Sequence, residues 1–114
     1  MEVFGKGEDL AREGDSTFEI FVLMKGKIGI YKGNVKVAEF DQKGIIFGEM
    51  GAILGEPRTA TMKAEDTSSV LVIEGDLDKL MDNYPDIAKK IMINLASRLK
   101  NITEDYSVLI DQGQ

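Results

Sequence analysis

Glu49 and Arg58 stand nine residues apart in the stretch 47–61, which reads FGEMGAILGEPRTAT, among Gly48, Gly51, Gly55 and Pro57. A helix begun by glycine leaves free backbone N–H groups at its N-terminus, and glycine lets an anion approach them closely. Residues 48–54 have room for one or two turns of such a helix, which Gly55 can end in a left-handed conformation. Pro57 then imposes an extended approach, and Arg58-Thr59-Ala60-Thr61 opens the next strand. Arg58 re-enters there as a forked, permanently charged partner for the same anion. A carboxylate repels that anion, so Glu49 must take a neutral donor beside it, such as a sugar hydroxyl. An anion and a hydroxyl in one small pocket describe the phosphate and ribose of a nucleotide. Each residue taken singly has a plainer reading: Glu49 as an exposed first-turn carboxylate, Arg58 as a surface ion-pair partner, and the glycines as turn residues.

The rest of the chain must position this pair. The 114 residues suffice for one domain, taken as 1–114, and 43 % hydrophobic with 30 % charged residues is a globular profile. The balance of 14 basic against 20 acidic residues gives a net charge of −6. That lacks the basic face of a direct nucleic-acid binder and favours a small-molecule or protein partner. There is no cysteine and no histidine. Disulfide and thiolate chemistry, the commonest metal ligand and the commonest general base are therefore all missing, so neither a catalytic nor a metal site is expected. The N-terminal MEVFGKGEDL has no apolar signal region, and the longest apolar run, 20–24, is too short to span a bilayer. A cytoplasmic setting is the default.

Residues up to about 75 read as β-structure. Runs rich in Val, Ile, Phe and Tyr are broken at Lys25-Gly26 and Gly33-Asn34, both hairpin signals. Phe18, Ile20 and Val22 share one side; Ile28 and Ile30 do the same, and Thr59, Thr61 and Lys63 alternate with Ala60, Met62 and Ala64. Short strands with closely spaced turns indicate a sandwich or barrel. From about 76 to 111 the period becomes helical. Asp76 can cap a short helix to about Asn83 with Leu77, Leu80 and Met81 on one face, and Pro85 suits the first turn of a second, running to about Ile110. That helix begins with a wide stripe, Ile87, Ile91, Met92 and Leu95, as for packing on a core. Then Met92, Leu95, Leu99, Ile102, Tyr106 and Leu109 follow at spacings of 3, 4, 3, 4 and 3. This is either continued packing on the same core or an a/d seam by which the helix pairs with its twin as a homodimer.

The stretch FGEMGAILGEPRTAT resembles the phosphate-binding cassette of the cyclic nucleotide-binding domain family, F-G-E-x-A-L-x-x-x-x-P-R-x-A-x. This family includes regulatory subunits of cyclic-AMP-dependent protein kinase, cyclic nucleotide-gated channels and the bacterial catabolite activator. Upstream, EGDSTFEIFVLMKGKIGIYKGNVKVAEFDQKG is similar to its glycine-aspartate turn and strand hairpins; downstream, LDKLMDNYPDIAKKIMINLASRL is similar to its two helices. The resemblance spans roughly residues 7–103. It implies a mainly β fold: an antiparallel jelly-roll barrel, or double-stranded β-helix, with a short phosphate-binding helix and a long C-terminal helix. It also implies a regulatory module that binds cAMP or cGMP, needs no cofactor and catalyses no reaction. By the same resemblance Glu49 accepts from the ribose 2′-hydroxyl and Arg58 pairs with the cyclic phosphate, with backbone N–H groups of Gly48, Met50, Gly51 and Thr59 completing the cradle. Phe47 and Ala60 flank it, and Thr103 reaches the base from the long helix, partly across a dimer. Gly51 departs from the alanine common at its position, and the hydroxyl of Thr59 is compatible with either base. A module that keeps the fold for dimerisation or docking without binding ligand is the alternative.

Overall fold

The structure, a computed structural model, describes the backbone of residues 1–112 and the side chains of residues 1–104. The strands are β1 (Glu2–Phe4), β2 (Asp9–Ala11), β3 (Ile20–Lys25), β4 (Ile28–Lys32), β5 (Val35–Phe40), β6 (Ile46–Phe47), β7 (Thr61–Ala64) and β8 (Ser68–Ile73). The helices are α1 (Glu49–Leu54), α2 (Leu77–Asn83) and α3 (Pro85–Gln112). Two four-stranded antiparallel sheets, ordered β1-β8-β3-β6 and β2-β7-β4-β5, form the jelly roll. Their hydrogen bonding stays separate and does not close into a barrel.

The two break points behave differently. At Gly33-Asn34 the chain makes a true hairpin, with Lys32 opposite Val35. At Lys25-Gly26 it does not: β3 pairs with β6 and β8, whereas β4 pairs with β5 and β7. The chain crosses between sheets at Gly26, whose φ is +112° and where a Cβ would lie 2.2 Å from Ser68 Oγ. Buried Ser68 holds this corner by accepting from Lys27 N at 3.1 Å and donating to Asp66 O at 2.8 Å. A close backbone crossing, not a two-residue turn, is what requires this glycine.

Alternation along β3 divides two cores. Phe21 and Leu23 enter the cluster between the sheets with Ile28, Phe47, Met62, Ala64 and Val70. Ile20 and Val22 point the other way, to Ile46, Ile73, Leu80, Ala88 and Ile91. One sheet is thus covered on both faces, and the second cover is α2 with the start of α3. Asp76 caps α2 as expected, its Oδ1 accepting from Asp78 N at 2.9 Å and Lys79 N at 3.2 Å. Of the expected apolar face of α2 only Leu80 is buried; Leu77 and Met81 are exposed. Pro85 opens α3 as expected, and Ile91 is buried with Ile87 and Leu95 partly so, but Met92 is 61 % exposed. Beyond Leu95 the described α3 side chains are exposed, including Leu99 at 66 % and Ile102 at 65 %. The side chains of Tyr106 and Leu109 lie outside the described residues.

Candidate functional site

The segment from β6 to β7 folds as its glycines dictate. Gly48 takes φ +79° immediately before α1, and Gly55 ends α1 at φ +66° with its N–H on Gly51 O at 2.8 Å. Arg58, Thr59 and Ala60 precede β7 rather than opening it, because the ladder begins only at Thr61. Gly14 N donates to Arg58 O at 2.8 Å and Arg58 N to Asp15 O at 2.9 Å, which ties this approach to the turn after β2.

Arg58 is 4 % exposed, an uncommon position for a cation, and its surroundings explain how it is tolerated. Its Nε donates to Thr17 Oγ1 at 3.1 Å, Nη1 to Gly48 O at 2.7 Å and Nη2 to Glu19 O at 2.7 Å. The guanidinium lies 5.5 Å from the centroid of the Phe21 ring, which stacks on Phe47 at 5.3 Å. The Glu19 carboxylate, half-exposed, is the nearest counter-charge at 3.6 Å. Burial pushes the guanidinium below its usual pKa range, and Glu19 opposes that shift. The side chain is therefore held by neutral carbonyls and an aromatic face, leaving N–H donors on both terminal nitrogens for an anion. Glycine at 48 is required here, since a Cβ would sit 2.9 Å from both Arg58 Nη1 and the Phe21 ring.

Glu49, at the first position of α1, is 5 % exposed. The plainer reading of it as an exposed helix-start carboxylate is overturned, as is that of Arg58 as a surface ion-pair partner. The partner of Glu49 is Arg98 on α3, with Nη2 donating to Oε1 at 3.1 Å. Phe47, Gly48, Glu49, Met50, Gly51, Arg58, Thr59 and Ala60 all line one pocket of about 190 Å³, together with Ile30, Phe40, Ile46 and Met62. Arg98 lines its rim. Thr103 is not brought there; its Oγ1 donates to Leu99 O at 2.9 Å within its own helix, and its side chain is exposed.

Sequence reasoning missed Thr17, Glu19 and Arg98. The first two are invisible because only the fold brings their oxygens to Arg58. Arg98 carried a signal: with Ile91 and Leu95 it continues the core-facing stripe at spacings of 4 and 3.

The profile of the cyclic nucleotide-binding domain matches residues 1–84. The chain belongs to the cyclic nucleotide-binding domain family. It is 34 % identical over 95 residues to the Pycsar effector protein XpPycTIR of Xanthomonas perforans, covering 82 % of this chain and 31 % of that relative. The chain spans about a third or less of the length of the first curated relatives it matches. Among solved structures, the Thermus thermophilus catabolite activator protein superposes with a TM-score of 0.77 at 22 % identity, over 95 % of this chain and 53 % of that one. The PKAR CBD2 structure with bound Sp-2Cl-cAMPS gives 0.65 at 26 % identity, over 89 % and 69 % of the two chains. This domain shares their jelly roll, and the pocket described above is lined in large part by the segment from Phe47 to Ala60. Among the described residues no helix is long and apolar enough to cross a membrane.

Proposed function

We propose that this domain is a cytoplasmic sensor that binds a cyclic mononucleotide, cAMP or cGMP, and reports it through α3. The observation that carries the reading is the convergence of two buried, oppositely charged side chains on one pocket: Arg58, fixed by Thr17, Gly48 and Glu19, and Glu49, 5 % exposed. A cyclic phosphate accepts from the remaining Arg58 donors and from backbone N–H groups of α1. The ribose 2′-hydroxyl donates to Glu49. Desolvation strengthens both contacts, because neither charge competes with bulk water.

The pocket is smaller than the roughly 300–1,000 Å³ of sites for drug-sized ligands. It suits phosphate and sugar and leaves the base at the mouth, beside Thr59 and under α3. Thr103 meets the base only if α3 moves or a second chain brings it, so it remains a proposed contact. Leu95, Leu99 and Ile102, with Tyr106 and Leu109, form the seam of a proposed parallel homodimer. Ligand binding shifts α3 between arrangements because it favours one over the other. No catalytic step is part of this reading.

Isothermal titration with cAMP, cGMP and their 2′-deoxy analogues tests it. Binding of a 2′-hydroxyl ligand that weakens in Glu49→Gln by about 1.5–3 kcal/mol supports the assignment, as for a charge-assisted hydrogen bond. A chain that binds none of them, or an equal loss for hydroxyl and deoxy ligands, refutes it.

A further inference from the structure

The charge around Arg58 is close to balanced before any anion arrives. Among the described residues, the ionisable side chains that line the pocket are Glu49, Glu56, Arg58 and Arg98. Arg98 is paired with Glu49 at 3.1 Å, which leaves Arg58 as the cation of the lining that no lining carboxylate pairs with. Glu19 stands beside it from outside the lining. Its Oε2 lies 3.6 Å from Arg58 Nη2, on a side chain 45 % exposed against 1 % for the arginine. Burial disfavours the charged guanidinium, and Glu19 opposes that effect. Lys32 adds no charge to the lining; it is exposed and its Nζ donates to Thr59 O at 2.7 Å. The site thus offers an incoming phosphate one buried cation, and that cation already has a counter-charge.

We propose that Glu19 is a specificity-determining residue: by partly neutralising Arg58 it lets the pocket accept a phosphate diester, with one negative charge, and turn away a phosphate monoester, which carries close to two at neutral pH. This rests on the nucleotide-binding reading above and names the ligand class that the same site excludes, the 5′-monophosphates of the same nucleosides. Attraction to one fixed cation grows in proportion to the charge of the anion. The cost of taking that anion out of water grows with the square of its charge. A second negative charge therefore needs a second cation, and the lining holds only Arg98, which Glu49 engages. Glu19 widens the difference, because its repulsion acts on each charge of the ligand. It does so without touching the ligand: the carboxylate sits on the far side of a guanidinium whose remaining N–H groups, one on each terminal nitrogen, face the anion.

The test compares wild type with Glu19→Gln, titrating each with cAMP or cGMP and with the matching 5′-monophosphate at about pH 7.5, where the monoester is dianionic. Glutamine keeps the backbone carbonyl that accepts from Arg58 Nη2 at 2.7 Å, so the arginine stays in place while the charge goes. Wild type is expected to bind the cyclic ligand more tightly than the monoester. Glu19→Gln is expected to tighten the cyclic ligand about threefold, the scale of a half-exposed charge, and the monoester by the square of that factor, about ninefold. The gap between the two ligands then narrows about threefold, a change that a merely structural role for Glu19 does not produce. Equal gains for both ligands, or weaker binding of both, would overturn the proposal. So would a monoester that binds neither protein, since shape and not charge would then exclude it. A wild-type chain that binds neither cAMP nor cGMP ends the function proposed above and this inference with it, whereas one that binds the cyclic ligand and shows no such narrowing ends this inference alone.

Discussion

The cassette between β6 and β7 and the far half of α3 are built on opposite terms. Around Arg58 nearly every group is spoken for: a threonine hydroxyl, two backbone carbonyls, an aromatic ring and a glycine that admits no Cβ. Beyond Leu95, the described side chains of α3 are exposed and make one ion pair to the body of the domain. Packed surroundings hold a side chain in one place, which is what a binding group needs. A sparsely held helix can exist in more than one arrangement at little cost, which is what a reporter needs. The two meet at Glu49, which belongs to the first region by burial and to the second through Arg98.

If that contrast is right, the largest effects lie in the cassette. Arg58→Ala is expected to cost about 2–5 kcal/mol of ligand affinity, because a desolvated phosphate loses its charged partner. Arg58→Lys should restore only part of it, since one ammonium cannot reproduce the fork or its bonds to Gly48 and Glu19. Titration against the proposed ligand reads both, and affinity equal to wild type in Arg58→Ala would remove the anion from this residue.

The boundary within α3 is tested next. Ile91, in the cluster with Ile20, Val22 and Leu80, should cost about 2–4 kcal/mol of unfolding free energy when replaced by Ala. Leu99→Ala in the monomer should stay within about 0.5 kcal/mol. Urea unfolding of the two variants compares them directly, and similar losses would place Leu99 on the core after all. Gly48→Ala should fall between the two, at about 1–3 kcal/mol, from a positive φ and a Cβ forced against Phe21 and Arg58.

What could be read from residue order depends on how local the cause is. The cap at Asp76, the start at Pro85 and the left-handed Gly55 are decided by neighbours within a turn, and all three lie where the sequence places them. Spacing alone set Glu49 and Arg58 beside one pocket, since the helix and its return are short. The Lys25-Gly26 break carries the same local turn signal as Gly33-Asn34, so residue order alone predicts a hairpin at both. Whether β3 and β4 pair is settled instead by β8, which claims β3 from more than forty residues away. Met92 likewise fits the stripe by period, yet the sheet is already covered by Ile91 and Leu80, and Met92 stays in solvent. Thr17, Glu19 and the Arg98 pairing are long-range in the same sense.

The smallest effect on folding, and the most telling for α3, is expected from Ile102→Glu. Ile102 is 65 % exposed and Leu99 66 %, and both belong to a 3-4 spaced apolar stripe whose members beyond Leu95 pack against no core among the described residues. A stripe of that spacing matches the facing stripe of an identical helix, and a parallel two-fold arrangement sets each residue against its own copy. A glutamate at 102 would then place two like charges in the seam, while the jelly roll, which Ile102 does not touch, keeps its stability within about 0.5 kcal/mol. Sedimentation should show wild type associating and Ile102→Glu monomeric, with matching circular dichroism for the two. If Thr103 reaches the base only across such a dimer, ligand affinity should fall in the same variant. A wild-type chain that sediments as a monomer with and without cyclic nucleotide would end the seam, and α3 would then carry its signal to whatever else its apolar stripe meets.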